Sequence, residues 1–544
     1  APKAKMALTG KSSIREALKP APFSDSIRKF LTTSSLSSVP TGINPMEIID
    51  HAVKVTSLGE GGIPSDRAIP MDARMIHNTH FGALDPIRTP ESNHSGVDIR
   101  ATIAAHRDDK GNLYTVLRNV KTGKDDFVRA GDLHKYVVAF PHQELTGMVD
   151  AFVDGHQTRV SSSRVTHQLG HVKHLYSPAT SLIPMIHSIQ GNRAIMGSKM
   201  GTQALPLLDR EAPLVQVMSH HPDGHSFEAI YGHMIVPTAP VAGTVAKVDD
   251  QFVYIKPHAE KRSAAGDAAL VRVPYYKKFP FPSKTFLDHA VDVKPGDKVE
   301  EGQRLAESNY TRDGVLALGK NLRVGYLPYY GYNSNDAVVI SDAASKKLTS
   351  EHMYREVFPL GTGIELNRAK HQLYYGAKYL ASMYSKLDET GVVKKGAKVD
   401  PKDVLVAGLM KQAVTGTDAM LGRLGKSLVK PFKDVALVWD HGVPGEVVDV
   451  VRASGQITIL VKTREAMQVG DKLAGRYGNK GVVAKIVPDH EMLRDEQGHP
   501  LDLLLTSAGV VSRINPAQVI ETAVSKVADK TGKPIIYDNA AGHN

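Results

Sequence analysis

The stretch Gly470-Asp471-Lys472-Leu473-Ala474-Gly475-Arg476-Tyr477-Gly478-Asn479-Lys480-Gly481 decides how the rest of this sequence is interpreted. It holds four glycines and three cationic side chains, and runs typical of β-strands flank it on both sides. A backbone so rich in glycine can turn tightly and come close to a ligand. Lys472 and Lys480 could then place two ammonium groups against neighbouring phosphates. A turn between strands with ordinary solvated lysines explains the pattern equally well, and the stretch alone leaves both interpretations open.

The composition is that of a folded protein with a basic character. A chain of 544 residues can form several domains, because single cores stop growing near roughly 250–300 residues. Hydrophobic residues make up 42% and charged residues 23%, as in folded globular proteins. The net charge of +10 and the isoelectric point near 9.2 favour an anionic partner, of which nucleic acid is the commonest.

Several classes of protein are excluded by what the sequence lacks. There is no cysteine, which excludes disulfides, thiol catalysis and cysteine-ligated zinc. No apolar run approaches the length of about 18 residues that a membrane span needs. The first residues, 1–5, lack the apolar core of a signal peptide. The sequence therefore predicts a soluble, intracellular protein.

Periodicity and turn signals divide the first half of the chain. Residues 1–20 are basic and irregular and predict a tail. A short helix is expected from Ser24, with Ile27, Phe30 and Leu31 as its apolar face. Loop-rich sequence follows as far as residue 90, and residues 100–160 alternate like strands around a hairpin turn at 108–112.

The second half reads as β-structure with an insertion. Residues 235–345 predict a β-rich barrel with strand–turn units at 243–248 and 293–299. Residues 346–460 change character, because a helical stretch around 369–388 is followed by a compact β-module, which indicates an inserted domain. An amphipathic helix is predicted over 516–530, and its apolar positions are Val519, Ile520, Ala523, Val524 and Val527.

Two candidate sites fail on inspection. Gly425-Lys426-Ser427 resembles the end of a phosphate-binding loop, but Met420 stands where that motif needs glycine. His167, His171 and His174 have the spacing of one helix face and could ligate zinc, yet neither a carboxylate nor a cysteine completes the set. A surface or interface role is favoured for these histidines. No Asp-x-Asp-x-Asp cluster is present that could hold magnesium directly.

A series of segments, in order along the chain, resembles the C-terminal half of the β subunit of multisubunit cellular-type RNA polymerases. The segments are Thr56-Ser57-Leu58-Gly59-Glu60-Gly61-Gly62, His77-Asn78-Thr79-His80-Phe81-Gly82, Pro86-Ile87-Arg88-Thr89-Pro90-Glu91, residues 192–206, Leu316-Ala317-Leu318-Gly319-Lys320-Asn321, Gly331-Tyr332-Asn333-Ser334-Asn335-Asp336-Ala337-Val338, the Gly470–Gly481 stretch, Pro500-Leu501-Asp502 and Ser512-Arg513-Ile514-Asn515. The resemblance covers nearly the whole chain, and so many ordered motifs make it specific. It extends to split-subunit enzymes such as those of giant bacteriophages, in which several chains share the two large subunits.

The resemblance implies an α+β, β-rich fold with a double-psi β-barrel core, a hybrid-binding region and a flap-like inserted domain. The implied regions are the basic tail at 1–20, a fork-loop and rifamycin-pocket-like region at 21–100, a β-rich region at 101–234 that contains the active-centre segment Asn192–Pro206, the first part of the barrel at 235–345, the flap-like insertion at 346–460, and the second part of the barrel with a C-terminal helix at 461–544.

The resemblance also implies nucleotidyl transfer, in which the RNA 3′ hydroxyl attacks the α-phosphate of a nucleoside triphosphate and pyrophosphate leaves. Such chemistry depends on positioning and charge stabilisation around metal ions. In the family, the tightly bound Mg²⁺ belongs to a triple-aspartate loop of the β′ subunit. This chain is therefore expected to be inactive alone and to need a chain for the N-terminal part of β, β′-type chains and an initiation factor, with template DNA and RNA. Its expected location is the cytoplasm of a bacterial host cell.

The same resemblance assigns roles to single residues. Lys472 and Lys480 would approach the RNA 3′ end, and Arg193 and Arg513 would meet the triphosphate. Planar guanidinium groups suit phosphate oxygens. Binding of RNA or substrate is implied for Gln203, Lys199 and Asn335, and Asp336 corresponds to an acidic position that contacts the second Mg²⁺ indirectly.

The sequence departs from the family pattern at three positions within the quoted motifs and beside them. Asn335 stands where the family usually has glutamate, which removes one negative charge near the second metal. Arg88 and Ser92 replace a glutamate and a glycine, and this change predicts altered local packing. A non-catalytic nucleic-acid-binding or assembly protein derived from the family is the competing hypothesis. The intact set Lys472, Lys480, Arg193 and Arg513 favours the catalytic one.

Overall fold

The computed structural model describes residues 24–34, 36–154, 156–219, 223–258, 270–411, 431–453 and 455–539. Within these ranges the chain is α+β and rich in β-structure, as the sequence predicts. The predicted basic tail at 1–20 and the tripeptide Gly425-Lys426-Ser427 lie outside the described residues. None of the helices in the described ranges has the length and apolar character that crossing a membrane requires.

Two helices and a two-stranded ribbon begin the described chain. Helix α1 spans Ser24–Thr33, helix α2 spans Pro45–Ala52, and strand β1 (Lys54–Thr56) pairs antiparallel with β2 (Asp98–Arg100). Helix α2 starts sharply, because the Asn44 side chain accepts a hydrogen bond from the Glu47 amide and proline occupies the first turn. Helix α1 forms where predicted, but its apolar face packs against nothing described: Ile27, Phe30 and Leu31 are all more than half exposed.

A seven-stranded sheet follows. Its strands are β3 (His106–Arg107), β4 (Leu113–Asn119), β5 (Asp125–Arg129), β6 (Val138–Ala139), β7 (Met148–Val153), β8 (His156–Ser161) and β9 (His167–Leu169). They pair in the order β3-β4-β9-β6-β7-β8, with β5 on the free side of β4. The hairpin turn predicted at 108–112 is confirmed, since the Asp108 carboxylate accepts from the Lys110 and Asn112 amides. Short 3-10 helices lie before, within and after this sheet. They span Asp66–Ala68, Asp72–Arg74, Asn78–His80, Ala130–Lys135, Ser162–Arg164, Val172–Leu175 and Ile186–Ser188.

The three histidines at 167, 171 and 174 do not share a helix face. His167 lies on strand β9 and is buried, with its Nε2 atom 3.2 Å from the Asp126 carboxylate. The predicted surface role is therefore wrong for this residue. His171 precedes the 3-10 helix Val172–Leu175, and burial followed by the charge of Lys173 lowers its pKa to about 4.

The middle of the chain combines short helices with small sheets. The helices are α3 (Pro178–Ser181), α4 (Gly191–Thr202), α5 (Phe227–Ile235) and α6 (Asp342–Lys347). The strands are β10 (Val215–Val217), β11 (Gly243–Val248), β12 (Phe252–Pro257), β13 (Val271–Pro274), β14 (Phe279–Pro280), β15 (Phe286–Leu287), β16 (His289–Val291), β17 (Lys298–Val299), β18 (Ala306–Ser308), β19 (Thr311–Arg312), β20 (Val315–Leu316), β21 (Val324–Tyr326) and β22 (Ala337–Ser341). Strands β13-β12-β11-β17 form one sheet with its own apolar core, and both predicted strand–turn units lie in it.

The stretch around 350–465 forms a module with a separate core. Its elements are β23 (Ser350–Pro359), β24 (Ile364–Leu366), α7 (Arg368–Tyr375), α8 (Ala381–Ser385), β25 (Lys398–Val399), β26 (Val404–Val406), β27 (Gly408–Lys411), β28 (Phe432–Asp434), β29 (Leu437–Val438), β30 (Gly445–Ala453) and β31 (Gln456–Glu465). Strands β23 and β31 pair over ten residues and enclose the rest of the module. Trp439 is fully buried among valines and leucines of this core. The helical stretch predicted around 369–388 forms as two short helices, α7 and α8, which residues 376–380 separate.

The last elements return to the middle of the chain. They are β32 (Lys472–Ala474), β33 (Lys480–Val487), β34 (Leu503–Leu505), α9 (Ala508–Ser512), α10 (Ala517–Thr531) and β35 (Ile535–Tyr537). A five-stranded sheet has the order β21-β34-β22-β33-β32, with β22 parallel to β33 and β21 parallel to β34. Segments far apart in sequence therefore form one unit.

The predicted helix at 516–530 forms as α10, but the predicted apolar face is not its buried face. Val519, Ile520 and Val527 are each more than 40% exposed, whereas Ala517 and Ala528 are buried. The small side chains face the protein because the helix packs closely against β10 and β35.

Candidate functional site

The eight site residues predicted from the sequence line one cavity of about 2160 Å³. They come from separate parts of the chain, namely Arg193, Lys199, Gln203, Asn335, Asp336, Lys472, Lys480 and Arg513. The walls are helix α4, the loop before β22, the hairpin β32–β33 and the end of α9. The fold therefore brings together all the residues that the resemblance selected.

Glycines in the opening stretch allow helix α4 to approach the hairpin loop. A Cβ atom on Gly478 would overlap the carbonyl oxygen of Arg193, and one on Gly197 would overlap the carbonyl oxygen of Arg476. Gly478 also has a φ of +70°, which side chains other than glycine rarely adopt. The Arg193 guanidinium donates to the Gly478 carbonyl at 3.1 Å across this contact. The close approach that glycine permits is therefore to the protein's own backbone.

A third glycine sets the position of Asp336. A Cβ atom on Gly481 would lie 2.6 Å from the Asp336 carbonyl oxygen, and the Val482 amide donates to that same oxygen at 2.9 Å. The preceding residue, Asn335, has a φ of +54°. Asparagine tolerates the left-handed region better than most residues, so Asn335 suits this turn.

Arg513 and Asp336 form an ion pair at the centre of the cavity. The hydrogen bond from Arg513 lowers the pKa of the Asp336 carboxyl, and the same bond raises the pKa of Arg513. Burial and the neighbouring Arg513 lower the pKa of the Arg193 guanidinium. Ile514, next to Arg513, has a φ of +48°, a strained conformation for a β-branched residue. Asp336 thus lies close to three cations, Arg513, Arg193 and Lys480, each of which lowers its pKa.

Lys472 and Lys480 project from one face of the β32–β33 hairpin. Lys472 lies opposite Val482 and Ala474 lies opposite Lys480, and residues that are opposite or two apart share a face of a strand pair. Both lysines are exposed to the cavity. Among the described residues, no carboxylate lies within ion-pair distance of either ammonium group.

Lys199 and Gln203 lie at the C-terminal end of α4. Gln203 is the residue that caps the helix, and it is exposed. The buried Asn44 side chain donates to the carbonyl oxygens of Gly201 at 3.0 Å and Ala204 at 2.9 Å. These two hydrogen bonds connect the end of α4 to the start of α2, and they fix the position of the segment that carries Lys199 and Gln203.

Arg476 forms ion pairs and a hydrogen bond that the sequence did not predict. Its guanidinium pairs with Glu228 of α5 and Glu521 of α10, and it donates to the Val215 carbonyl of β10 at 2.8 Å. Burial raises the pKa of Glu228 to about 7, against the opposing effect of Arg476. Burial opposes the charge of Arg476 as well, but Glu521 and its other partners raise the pKa of the guanidinium. Arg476 therefore fixes the middle of the glycine-rich loop to three elements.

Arg88, which departs from the family pattern, is buried in a second charge cluster. Its guanidinium donates to both oxygens of Asp50, at 2.9 and 2.8 Å, and Arg100 donates to Asp50 at 2.9 Å. Buried charges of this kind need partners, since an unpaired one costs several kcal/mol, about 3–5. The altered local packing predicted from Arg88 and Ser92 stays a prediction.

The donors present do not form a complete metal site. Asp336 is one carboxylate that Arg513 already engages, and Mg²⁺ takes several oxygen ligands. In the described ranges no group of three or more His, Asp or Glu side chains is arranged to hold an ion. Asp336 and the Asn335 amide could at most contact the water shell of an ion held elsewhere.

Sequence comparisons identify relatives for nearly the whole chain. The profile of RNA polymerase Rpb2, domain 6, matches residues 179–539, and that of RNA polymerase Rpb2, domain 3, matches residues 39–105. Both matched ranges contain residues of the cavity or of the region that packs beside it.

Proteins named DNA-directed RNA polymerase subunit beta are similar to this chain. The one from Rubrobacter xylanophilus is 31% identical over 94% of this chain and 46% of its own length. The one from Thermus thermophilus is 32% identical over 92% of this chain and 46% of its own length. The one from Borreliella burgdorferi is 29% identical over 95% and 46%. The chain therefore spans about half the length of the curated relatives it matches.

Proposed function

The chain belongs to the RNA polymerase Rpb2, or β-subunit, family, and from that premise we propose that it forms the basic wall of a nucleotidyl-transfer centre. Its cavity would bind the RNA 3′ end and the incoming nucleoside triphosphate during transcription. The single observation that carries this proposal is the convergence of Arg193, Lys472, Lys480 and Arg513 on one cavity, where, among the described residues, Asp336 is the only carboxylate in an ion pair with any of the four.

The proposed roles follow from the charges. Lys472 and Lys480 share one face of a hairpin, so two phosphates of the RNA end would be neutralised from the same side. Arg513 would exchange its bond with Asp336 for the oxygens of a triphosphate, to which a guanidinium donates in pairs. Arg193 is held against the Gly478 carbonyl, and a position fixed in advance costs little reorganisation when charge develops in the transition state.

The chemistry also needs groups from other chains. The tightly bound Mg²⁺ is proposed to come with a β′-type chain, where it would supply charge for the reacting phosphate and the leaving pyrophosphate. Asp336 would contact the shell of a second ion indirectly. We propose accordingly that the chain is inactive alone and acts with a chain for the N-terminal part of β, with β′-type chains and with an initiation factor on a DNA template.

Finer features of the fold belong to the same proposal. The five-stranded sheet that joins β21 and β22 to β32, β33 and β34 is compatible with a double-psi barrel built from two distant segments. The module between β23 and β31 is compatible with a flap-like insertion, because one pair of long strands connects it to the rest. The division of the large subunits among several chains, as in giant bacteriophages and within a bacterial host cell, stays a prediction that identification of the co-purifying chains would test.

The test of the catalytic role is Lys480→Ala in the assembled polymerase. Nucleotide addition should fall by about 10²–10³-fold, the usual effect of removing one preorganised donor. Lys256→Ala is the matched control, since Lys256 is an exposed lysine on strand β12 of a separate sheet. Equal elongation rates for the Lys480→Ala enzyme and the parent would favour the non-catalytic nucleic-acid-binding role instead.

A further inference from the structure

The loop that leads to Asp336 exposes tyrosine side chains to solvent. Tyr330 is 88% exposed and Tyr332 is 45% exposed. Aromatic side chains carry much apolar surface and are mostly buried in folded proteins. Two exposed tyrosines within three residues of one loop offer aromatic surface that a ligand can cover.

The loop is held firmly in this shape. The buried Asn333 side chain accepts from the Tyr329 amide at 2.8 Å and donates to the Leu327 carbonyl at 2.8 Å. The Tyr332 amide donates to the Tyr329 carbonyl at 2.9 Å, which closes a tight turn. Tyr330 has a φ of +47° within this turn, a strained conformation for a bulky residue. The exposed position of Tyr330 is thus part of a defined conformation.

A cation accompanies the exposed rings. The Lys485 ammonium lies 4.4 Å from the centroid of the Tyr332 ring, and Lys485 belongs to β33, the strand that begins with Lys480. The ring of Tyr330 meets the ring of Tyr329 edge-on, with centroids 4.9 Å apart. Exposed aromatic rings beside a positive charge are the features that bind unpaired bases and their phosphates.

We infer that Tyr330 and Tyr332 form a stacking platform for an unpaired nucleobase of a single-stranded nucleic acid. The platform lies just outside the cavity: Asn335 and Asp336, a few residues further along the same loop, line it, whereas the two tyrosines do not. Stacking is tolerant of sequence because every base has a π-face, so the platform takes any base. This inference rests on the proposed function for the identity of the strand.

The test measures binding of short single-stranded oligomers to the full chain. Fluorescence anisotropy with a labelled oligoribonucleotide and a matched oligodeoxyribonucleotide gives the dissociation constants, and the tighter of the two identifies the strand. Tyr330→Ala should weaken binding by roughly 5- to 150-fold, which corresponds to loss of one stacked base. Tyr330→Phe should retain binding. Tyr276→Ala is the matched control, because Tyr276 is a 48% exposed tyrosine in another part of the fold.

Photo-crosslinking supplies a second readout. An oligomer that contains 4-thiouridine should crosslink to the parent chain within residues 329–332, and the crosslink should be lost in Tyr330→Ala. Unchanged dissociation constants for Tyr330→Ala, with crosslinks elsewhere, would overturn the inference. So would loss of a co-purifying protein chain while binding to both oligomers stays intact, since that result assigns the tyrosines to a protein interface.

The two proposals fail separately. If Lys480→Ala leaves nucleotide addition unchanged while Tyr330→Ala weakens oligomer binding, the catalytic role is wrong and the platform stands. If Lys480→Ala abolishes addition while Tyr330→Ala binds oligomers like the parent, the platform is wrong and the catalytic role stands.

Discussion

The predicted site lysines of the cavity and the cations of the module between β23 and β31 differ in how they are paired. Among the described residues, eight lysines and arginines of the module pair with carboxylates of the same module: Lys370 with Glu365, Lys378 with Asp434, Lys386 with Asp400 and Asp403, Lys395 with Asp449, Lys402 with Asp440, Arg452 with Asp388, and both Lys462 and Arg464 with Glu351. Around the cavity, Lys199, Lys472 and Lys480 have no carboxylate within ion-pair distance among the described residues. Paired charges are already neutralised within the protein, whereas unpaired ones are available to an external anion.

The two regions also differ in how they are packed. The module is built around Trp439 and a set of buried valines and leucines. The wall of the cavity depends instead on backbone contacts at Gly197, Gly478 and Gly481, where no side chain fits. The module is therefore expected to be sensitive to loss of apolar volume and the cavity wall to any gain of volume.

The largest effect should come from Gly478→Ala. The new methyl group would overlap the Arg193 carbonyl at a φ of +70°, so unfolding free energy should fall by about 2–5 kcal/mol. Gly470→Ala is the matched control, because Gly470 has a φ of +97° but open space around it, and about 1–2 kcal/mol is expected. Urea denaturation of both variants measures the difference. Equal losses would show that backbone strain, and not the contact with α4, governs the loop.

An intermediate effect is expected in the module from Asp434→Asn. Burial opposes ionisation of Asp434, but hydrogen bonds from Lys378, the Ala436 amide and His371 lower its pKa from 3.8 to about 2. A depressed pKa stabilises the fold above the unfolded-state value, and this stabilisation is lost as pH falls towards 2. At pH 7 the variant should be less stable by about 1–2 kcal/mol.

The pH dependence gives the check on that prediction. Denaturation curves of the parent and Asp434→Asn should converge between pH 4 and pH 2, and a gap that persists at low pH would contradict the charge-based explanation. Asp440→Asn is the control, since both side chains of the Lys402–Asp440 pair are 70% exposed, and no measurable change is expected.

The smallest effect is expected from Lys472→Ala. Lys472 shares its hairpin face with Lys480 and has no carboxylate in ion-pair distance among the described residues. Its removal should therefore leave stability unchanged or raise it, by up to about 0.5 kcal/mol at low salt. Lys378→Ala in the module should lower stability instead, because Asp434 loses its partner at 2.6 Å. Thermal melts at low and high salt compare the two. A clear loss of stability in Lys472→Ala would mean that the cavity cations also serve the fold.

The site was predictable because ordered motifs marked each segment. Arg193, Asp336, Lys480 and Arg513 were each identified within a short recognisable stretch, and the structure brings all of them to one cavity. The same stretches did not reveal what the glycines approach. The glycine at position 478 indicates that another group can approach the backbone closely there. Which group does so, the Arg193 carbonyl, is determined only by the tertiary fold.

Features without a local signal were missed. The ties of Arg476 to Glu228 and Glu521 join residues that lie 248 and 45 positions away, so no spacing rule could find them. Helix α10 was predicted from its periodicity, yet Val519, Ile520 and Val527 are exposed, whereas Ala517, Gln518 and Ala528 are buried. His167 was misassigned because a helical spacing was assumed for a residue that lies on a strand.

The bond between Arg193 and the Gly478 carbonyl spans 285 residues. Ribosomes add about 5–20 residues per second, so Gly478 is synthesised roughly 15–60 s after Arg193. During that interval the loop that packs on Gly197 has not been synthesised. The cations of helix α4, Arg193 and Lys199, are then accessible to polyanions in the cell. The wall of the cavity is therefore completed only after residue 478 has been synthesised.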